Sequence, residues 1–431
     1  MDSNKSQSHE DGKSQSHGVT ESRISGSAGK RGTTVRSDCW IEITKKSEGG
    51  AGSPSFNIKS KVGNLYGAAI RKQLEEMSLF FNLRNVDITL EDAGALPFVM
   101  AARFEAAVKR MDPTVTSEYL MPFLYEDIKS TTKNHLRRSR LYLPGNEPKF
   151  FVNAGLHQPD GIILDLEDSV APDEKDAARH LVRNALRSVD FYGTERMVRI
   201  NQLPMGLEDL KFIIPAKVNL ILIPKVEEAS QIIEVEKEVL QIKAKHGITG
   251  DIWFMPIIES AKGAINAYEI AKASHFVCSL AIGLEDYTAD IGAERTLEGT
   301  ESFWARMQVV NAAKAAGIQA IDSVFSDVGD MEGLVKSTLE SKSFGFEGKG
   351  CIHPRQIQPI HTAFAPTSRE IEKAMKIVMA FEDALSKGLA AVSLGTKMID
   401  PPVVKRAQRV IELAIQQGML KSDWMVNNGN G

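Results

Sequence analysis

Gly161-Ile162-Ile163-Leu164-Asp165-Leu166-Glu167-Asp168 joins a short apolar run directly to three carboxylates. An unbroken run of this kind suits a strand buried on both faces, as in a parallel sheet covered by helices, whereas a half-solvated strand would alternate. The form returns at Ile221-Leu222-Ile223, which leads into Pro224-Lys225. Outward from these two runs, short strands alternate with helical stretches, the strands falling at 139–143, 161–165, 197–201, 220–224, 252–258, 276–282, 320–324 and 350–353. Eight such units within roughly 230 residues predict an α/β fold, a TIM (β/α)8 barrel. The competing arrangement is an open doubly wound sheet. Its Gly-x-Gly-x-x-Gly after the first strand is missing, since Tyr142 leads into Leu143-Pro144-Gly145-Asn146.

The barrel pattern occupies residues 137–365. Ahead of it, residues 1–36 contain Ser-Gln-Ser-His twice and Ser25-Gly26-Ser27-Ala28-Gly29, and hold too little apolar surface to offset the entropy of ordering. A disordered tail is expected there. Residues 37–112 read as a small α+β domain, with strands at 39–43, 56–59 and 86–90 and helices at 64–80 and 96–109. A linker, 113–136, follows. Behind the barrel, residues 366–431 carry amphipathic stretches at 368–387 and 402–417, more than one closing helix needs, and so predict a C-terminal helical arm or lid.

Composition narrows the class. With 42% hydrophobic and 25% charged residues, the chain matches ordinary globular proteins. Its 52 Lys and Arg against 56 Asp and Glu give a net charge of -4, which offers no global attraction for nucleic acid or an anionic membrane, and neither is expected as a partner. No stretch approaches the roughly 20 apolar residues that span a bilayer, and the first residues lack a secretory apolar run. Cys39, Cys278 and Cys351 are far apart and odd in number, so a reducing, cytoplasmic location is expected.

In such barrels chemistry sits at the C-terminal ends of the strands. There the sequence places Asp165-Leu166-Glu167-Asp168, Arg199-Ile200-Asn201, Pro224-Lys225, Glu259-Ser260 and Glu285-Asp286. Carboxylates converging from several strands, with no cysteine or paired-histidine cluster, favour a hard divalent cation, and Mg2+ needs only one or two of them. Glu259 and Asp286 are the expected ligands; ion pairing with barrel lysines or arginines is the other reading of both. Arg199 can grip a substrate carboxylate or carbonyl oxygen through its planar fork, or form an ion pair with Asp165 or Glu167. Asp165, Glu167 and Asp168 would hold the metal through water and orient Arg199. His353, before Pro354, reads as functional or as a hydrogen-bonded structural histidine. Gly-x-Ser-x-Gly, Gly-x-x-x-x-Gly-Lys-[Ser/Thr] and His-Glu-x-x-His are all missing, which leaves nucleophile-elbow hydrolases, P-loop enzymes and zincins without support.

Taken together, Arg138-Ser-Arg-Leu-Tyr-Leu-Pro-Gly-Asn-Glu-Pro-Lys149, Leu164-Asp-Leu-Glu-Asp-Ser-Val-Ala171, Val198-Arg-Ile-Asn201, Ile258-Glu-Ser-Ala261, Gly283-Leu-Glu-Asp-Tyr-Thr-Ala-Asp290 and Met398-Ile-Asp-Pro401 resemble the citrate lyase β-subunit branch of the HpcH/HpaI aldolase family, in order over residues 137–415. The resemblance implies a Mg2+-dependent barrel that cleaves a carbon–carbon bond in a 3-hydroxyacyl thioester, with citryl-carrier or citryl-CoA giving oxaloacetate and an acetyl thioester. It places the metal ligands on Glu259 and Asp286, with Glu259 also touching substrate, the substrate-binding and catalytic arginine on Arg199, and a catalytic aspartate on Asp400. That aspartate is delivered by a neighbouring subunit's arm, so a homo-oligomer is implied. Malyl-CoA or citramalyl-CoA would suit the same residues, and a scaffold subunit is the non-enzymatic alternative. Lys149 and Arg179 are candidates for the thioester's pantetheine and phosphates.

Asp38-Cys-Trp-Ile-Glu-Ile43, Tyr66-Gly-Ala-Ala-Ile-Arg71 and Asp92-Ala-Gly-Ala-Leu-Pro97 followed by Ala102-Arg-Phe-Glu-Ala106 resemble the acyl carrier γ-subunit of citrate lyase. That resemblance implies a phosphoribosyl-dephospho-CoA arm on a serine, and a citrate lyase transferase subunit as partner. The family's serine position is Arg36 here, with Ser37 next to it. Either Ser37 takes the arm, or the domain is unmodified and serves assembly.

Overall fold

The computed structural model describes residues 24–46, 52–125, 128–388, 392–394 and 397–425. At the front, β1 (Ser25–Gly29), β2 (Cys39–Lys45), β3 (Ser55–Ser60) and β4 (Val86–Asp92) form one sheet in the order β1-β2-β4-β3. Only β3 and β4 run parallel; β2 pairs antiparallel with both β1 and β4. Alternation in β2 and β4 buries Cys39, Ile41, Ile43, Val86, Ile88 and Leu90 beneath helices α1 (Gly63–Phe80) and α2 (Pro97–Met111).

The tail expected over 1–36 is therefore too long. Residues 1–23 lie outside the described residues, but 25–29 form a strand that the apolar pattern could not reveal. Its small residues have a steric reason: a Cβ on Gly26 would lie 2.2 Å from the Ala107 carbonyl oxygen and 2.3 Å from the Met111 nitrogen, so α2 crosses directly over bare backbone. The described residues of the linker carry no regular structure; Leu124 donates to the Arg187 carbonyl, and the Thr131 carbonyl accepts from the Trp253 indole at 2.7 Å.

The second unit is a closed parallel barrel of eight strands, β5 (Ser139–Pro144), β6 (Gly161–Asp165), β7 (Glu195–Arg199), β8 (Leu220–Ile223), β9 (Trp253–Ile258), β10 (Ser279–Ile282), β11 (Gln319–Asp322) and β12 (Gly348–Cys351). Closure excludes the open sheet. The register sets Tyr142, Ile163, Met197, Leu220 and Trp253 side by side around the interior. Their neighbours Leu141, Leu143, Ile162, Leu164, Val198 and Ile221 face the surrounding helices. Both faces are buried, which is why these strands read as continuous apolar runs.

Helix α2 joins the two units. Phe98, Val99 and Ala102 belong to the barrel's outer core, while Met100, Ala101 and Phe104 belong to the front sheet's core. At its centre the fully buried Glu105 accepts from Arg183 at 2.7 and 3.2 Å and from the Tyr119 N–H at 3.0 Å, with Lys109 at 2.9 Å. Burial alone would raise the Glu105 carboxyl pKa, but His180 and Arg183 pull it well below the ordinary range. Stability from this anion is thus complete above its unfolded pKa of about 4.3 and is lost only as pH falls through the lowered folded value.

At the other end, helices Ser368–Ser386 and Pro401–Gln416 pack through Ala374, Ile377, Val378, Val404, Ala407 and Ile411. Between them β13 (Val392–Leu394) pairs antiparallel with β14 (Lys397–Ile399), two strands not expected from sequence. Arg409 reaches Glu347 at 2.5 Å, and Pro402 and Arg406 line a cleft shared with Arg137 and Arg138 before β5 and Phe346 before β12. The arm therefore lies at the N-terminal end of the barrel strands.

Glu105→Ala should lower the unfolding free energy by about 3–5 kcal/mol, because Arg183 would be left as a buried charge without its anion. Asp176→Ala, at the half-exposed partner of Arg110, should cost about 1 kcal/mol or less. Urea denaturation of the two variants checks the contrast.

Candidate active site

At the C-terminal ends of the strands a cavity of about 470 Å³ brings together Arg140 and Tyr142 of β5, Asp165, Arg199, Glu259 and Asp286. Glu259 follows β9 directly and is buried, its Oε2 accepting the Lys225 N–H at 2.9 Å. Its other side rests on bare backbone: a Cβ on Gly283 would lie 2.4 Å from Glu259 Oε1. Gly283 ends β10 and opens the short helix Leu284–Asp290, whose first turn carries Asp286. The two expected metal ligands thus come from adjacent strand ends. Lys225 stands between the acidic groups, its Nζ 3.3 Å from Asp286, 3.8 Å from Glu167 and 4.0 Å from Asp168.

Arg199 is fixed from one side by Asp165, with Nε and Nη2 donating to the two carboxylate oxygens at 2.7 and 2.8 Å. Its Nη1 lies 2.7 Å from Glu167 Oε2 and 3.4 Å from Asp168 Oδ2, and its guanidinium carbon lies 5.4 Å from the Tyr142 ring centroid. Both readings of Arg199 meet here, because the ion pair with Asp165 aims the guanidinium along the cavity wall. Asp165, Glu167 and Asp168 all lie within 3.4 Å of the Arg199 guanidinium.

The electrostatics show a shortage of positive charge. Burial, reinforced by Glu167, pushes the Glu259 carboxyl up to about 8, against the pull of the Lys225 N–H and Arg199. Burial also pushes Glu167 up to about 7, with Arg199 lowering it and Asp168 raising it. Glu167 Oε2 is close to Arg199 yet has no aligned hydrogen-bond donor. Burial works against Arg199, but Asp165 more than compensates and raises the guanidinium above its ordinary value. Buried carboxylates that resist ionising together are suited to a cation. Among the described residues no group of three or more His, Cys, Asp or Glu side chains closes on a metal position. Two carboxylates with places left for water and substrate oxygens fit Mg2+ better than an all-protein cage.

Other expected residues fall elsewhere. Arg179 donates to the buried Asp209 at 2.6 Å, which in turn holds Asn201; it braces the helix layer rather than lining the cavity. Lys149 pairs with Glu147 at 3.1 Å and lies over Phe150, on the loop after β5 and outside the cavity lining. His353 caps a 3-10 turn, its Nδ1 accepting the Arg355 N–H, a structural role. Asp400 caps the final helix by accepting the Val403 N–H at 3.2 Å, and does not line the cavity of its own chain. Ser37 is half-buried with φ 55°, its N–H donating to the Ala93 carbonyl. The next residue, Asp38, is clasped by Arg103, which also donates to the Asn146 carbonyl at 3.2 Å, two residues beyond Pro144 at the cavity wall. Asp38 and Arg103 therefore hold the front unit against the loop that follows β5. Tyr142, Gly283 and Arg140 escaped the sequence reading; Arg140 carried the one visible signal, a charge two residues from Tyr142 on the same face of a buried strand.

Comparison with known proteins identifies the family. Residues 138–354 match the family described as HpcH/HpaI aldolase/citrate lyase, and residues 28–111 match the acyl-carrier model described as Malonate decarboxylase delta subunit (MdcD). The second match begins within the expected tail, in keeping with β1. The chain is 41% identical over 291 residues to citrate lyase subunit beta of Leuconostoc mesenteroides subsp. cremoris, spanning 67% of this chain and 96% of that one. It is 32% identical over 330 residues to the mitochondrial citramalyl-CoA lyase of Rattus norvegicus, spanning 73% and 96%. A crystal structure of CitE from Mycobacterium tuberculosis with magnesium, acetoacetate and coenzyme A superposes with a TM-score of 0.55 at 28% identity, covering 66% of this chain and 99% of that one. With a closed barrel, carboxylates at adjacent strand ends and a near full-length match to its curated members, the chain belongs to the HpcH/HpaI aldolase/citrate lyase family of carbon–carbon lyases.

Proposed function

We propose that the chain is a Mg2+-dependent lyase that cleaves a citryl thioester, carried on CoA or on an acyl carrier, into oxaloacetate and an acetyl thioester. The observation that carries this reading is the pairing of Glu259 and Asp286 at adjacent strand ends, in a cavity whose buried carboxylates are short of a cation beside the fixed Arg199. Greater identity to citrate lyase subunit beta than to citramalyl-CoA lyase favours the citryl substrate.

Cleavage removes the substrate's hydroxyl proton, breaks the bond between the carbinol carbon and the thioester's α-carbon, and leaves a thioester enolate that must take up a proton. When bound, Mg2+ supplies positive charge to the hydroxyl and carboxylate oxygens of the keto-acid half. Glu259 and Asp286 would hold it, and Glu259 borders the substrate. Arg199, held by Asp165, donates along the cavity wall to the oxygen on which negative charge grows. Lys225 lies among Asp168, Glu167 and Asp286, which hold its ammonium in the charged form and share its single positive charge.

Asp400 is assigned to the protonation of the enolate carbon. Within one chain it sits on the arm at the far end of the barrel, so a second copy must bring it, and the enzyme works as a homo-oligomer. Ser37, beside the Asp38 that Arg103 clasps, is assigned to carry a phosphoribosyl-dephospho-CoA arm, which a transferase subunit would load. A tethered substrate then meets the cavity at high effective concentration. The three buried, free cysteines fit the cytoplasm.

A coupled assay should show oxaloacetate released from citryl-CoA with Mg2+ and not with EDTA; Mg2+-dependent release of pyruvate or glyoxylate alone, from citramalyl-CoA or malyl-CoA, moves the substrate. Arg199→Ala should lower kcat about 10²–10³-fold, the usual loss for one donor to a developing oxyanion. Glu259→Gln and Asp286→Asn should abolish the rise in melting temperature that Mg2+ gives the wild-type protein. Intact mass should show an adduct that Ser37→Ala removes; an unmodified mass in cells making the transferase overturns the carrier assignment.

A further inference from the structure

Among the described residues lining the cavity, Arg140 is a cation without a carboxylate partner. Strand alternation turns Arg140, Tyr142 and Pro144 toward the cavity, while Leu141 and Leu143 pack outward. Arg140 is only 2% exposed, and its Nε has no hydrogen-bond partner. Its remaining contacts are weak: Nη1 lies 2.9 Å from the Met255 sulfur, and Nη2 reaches the Asp322 carbonyl at 3.4 Å. The Asp322 carboxylate is already occupied by Arg306 at 2.9 Å, Lys349 at 3.0 Å and Ser341 at 2.5 Å. Burial pulls the Arg140 pKa below its ordinary value, against smaller contributions that include Tyr142 and Asp322. A guanidinium has five donors in a planar fork, and burying it without an anion is costly. Arg199 differs, since three carboxylates already surround it.

The nature of the missing anion rests on the lyase reading above. Every substrate considered there carries a carboxylate on the carbinol carbon, which belongs with the Glu259, Asp286 and Arg199 end of the cavity. They differ in the other substituent on that carbon: a carboxymethyl group in citryl, a methyl in citramalyl, a hydrogen in malyl. Only the first brings a second carboxylate, which stays on the keto acid after cleavage. We propose that Arg140, at the floor of the cavity, receives this second carboxylate, so that the site selects a dicarboxylic keto-acid half over a monocarboxylic one. A monocarboxylate would leave the guanidinium as unsatisfied as it is in the free protein, and that difference is the source of selectivity.

Calorimetric titration of the full chain with oxaloacetate and with pyruvate, both in Mg2+, tests this directly. The wild-type protein should bind oxaloacetate about 10–100-fold more tightly, the usual range for a charged, bidentate pair. Arg140→Met, which keeps the stem and removes the charge, should bring oxaloacetate to the affinity of pyruvate. Arg140→Lys, which keeps a charge but loses the fork, should retain part of the preference and serves if the methionine variant does not fold. Equal affinities in the wild-type protein, or an undiminished preference in a folded Arg140→Met, overturn the inference. Cleavage assays separate it from the reading beneath it. Preference for citramalyl-CoA or malyl-CoA over citryl-CoA overturns selection by Arg140 and leaves the lyase standing. Oxaloacetate preference without cleavage of any thioester upholds the anion site and removes the lyase.

Discussion

The site is organised by the carboxylates gathered around Arg199. Asp165 ends one strand and Arg199 the next, and parallel pairing sets them side by side as register partners. Their bidentate contact fixes the guanidinium without consuming the acidic character of the cavity, because Glu167, Asp168, Glu259 and Asp286 remain close by with Lys225 as their additional cation. The raised pKa values of Glu259 and Glu167 express the same shortage. A divalent ion held by Glu259 and Asp286 would remove it and would leave positions open for other oxygens.

The rest of the chain is arranged around that mouth. The front unit is bound to the barrel through α2 and the buried Glu105–Arg183 pair, while Arg103 links Asp38 to the Asn146 carbonyl on the loop after β5. The C-terminal arm leaves from the opposite end, beside Glu347. A single copy therefore has its front unit against the loop that follows β5 and its last described helix at the opposite end of the barrel.

Much of this was legible in the sequence because burial on both faces leaves an unmistakable pattern. Ile162-Ile163-Leu164 and Ile221-Leu222-Ile223 located parallel strands, and the polar residues after each run located the mouth. The gaps have physical causes. Residues 25–29 are strand-forming through close backbone packing under α2, which selects glycine and serine and so imitates a tail. Arg179, a candidate for the thioester's pantetheine and phosphates, is turned by helical geometry to Asp209. Arg140 is a charge inside a strand whose neighbours are apolar; its meaning depends on Asp322 being neutralised by Arg306 and Lys349, contacts made from distant parts of the chain. Gly283 needs the knowledge that Glu259 packs across it.

The central claim is that Glu259 and Asp286 together hold a divalent cation facing substrate. Anomalous diffraction from crystals of the protein soaked with Mn2+, an oxygen-seeking surrogate for Mg2+, tests it most directly. The account predicts one strong peak bridging the two carboxylates, with water in the other positions and Arg199 still clasped by Asp165. An ordered site without that peak, or a peak coordinated by other residues while Glu259 and Asp286 remain paired within the protein, would contradict it.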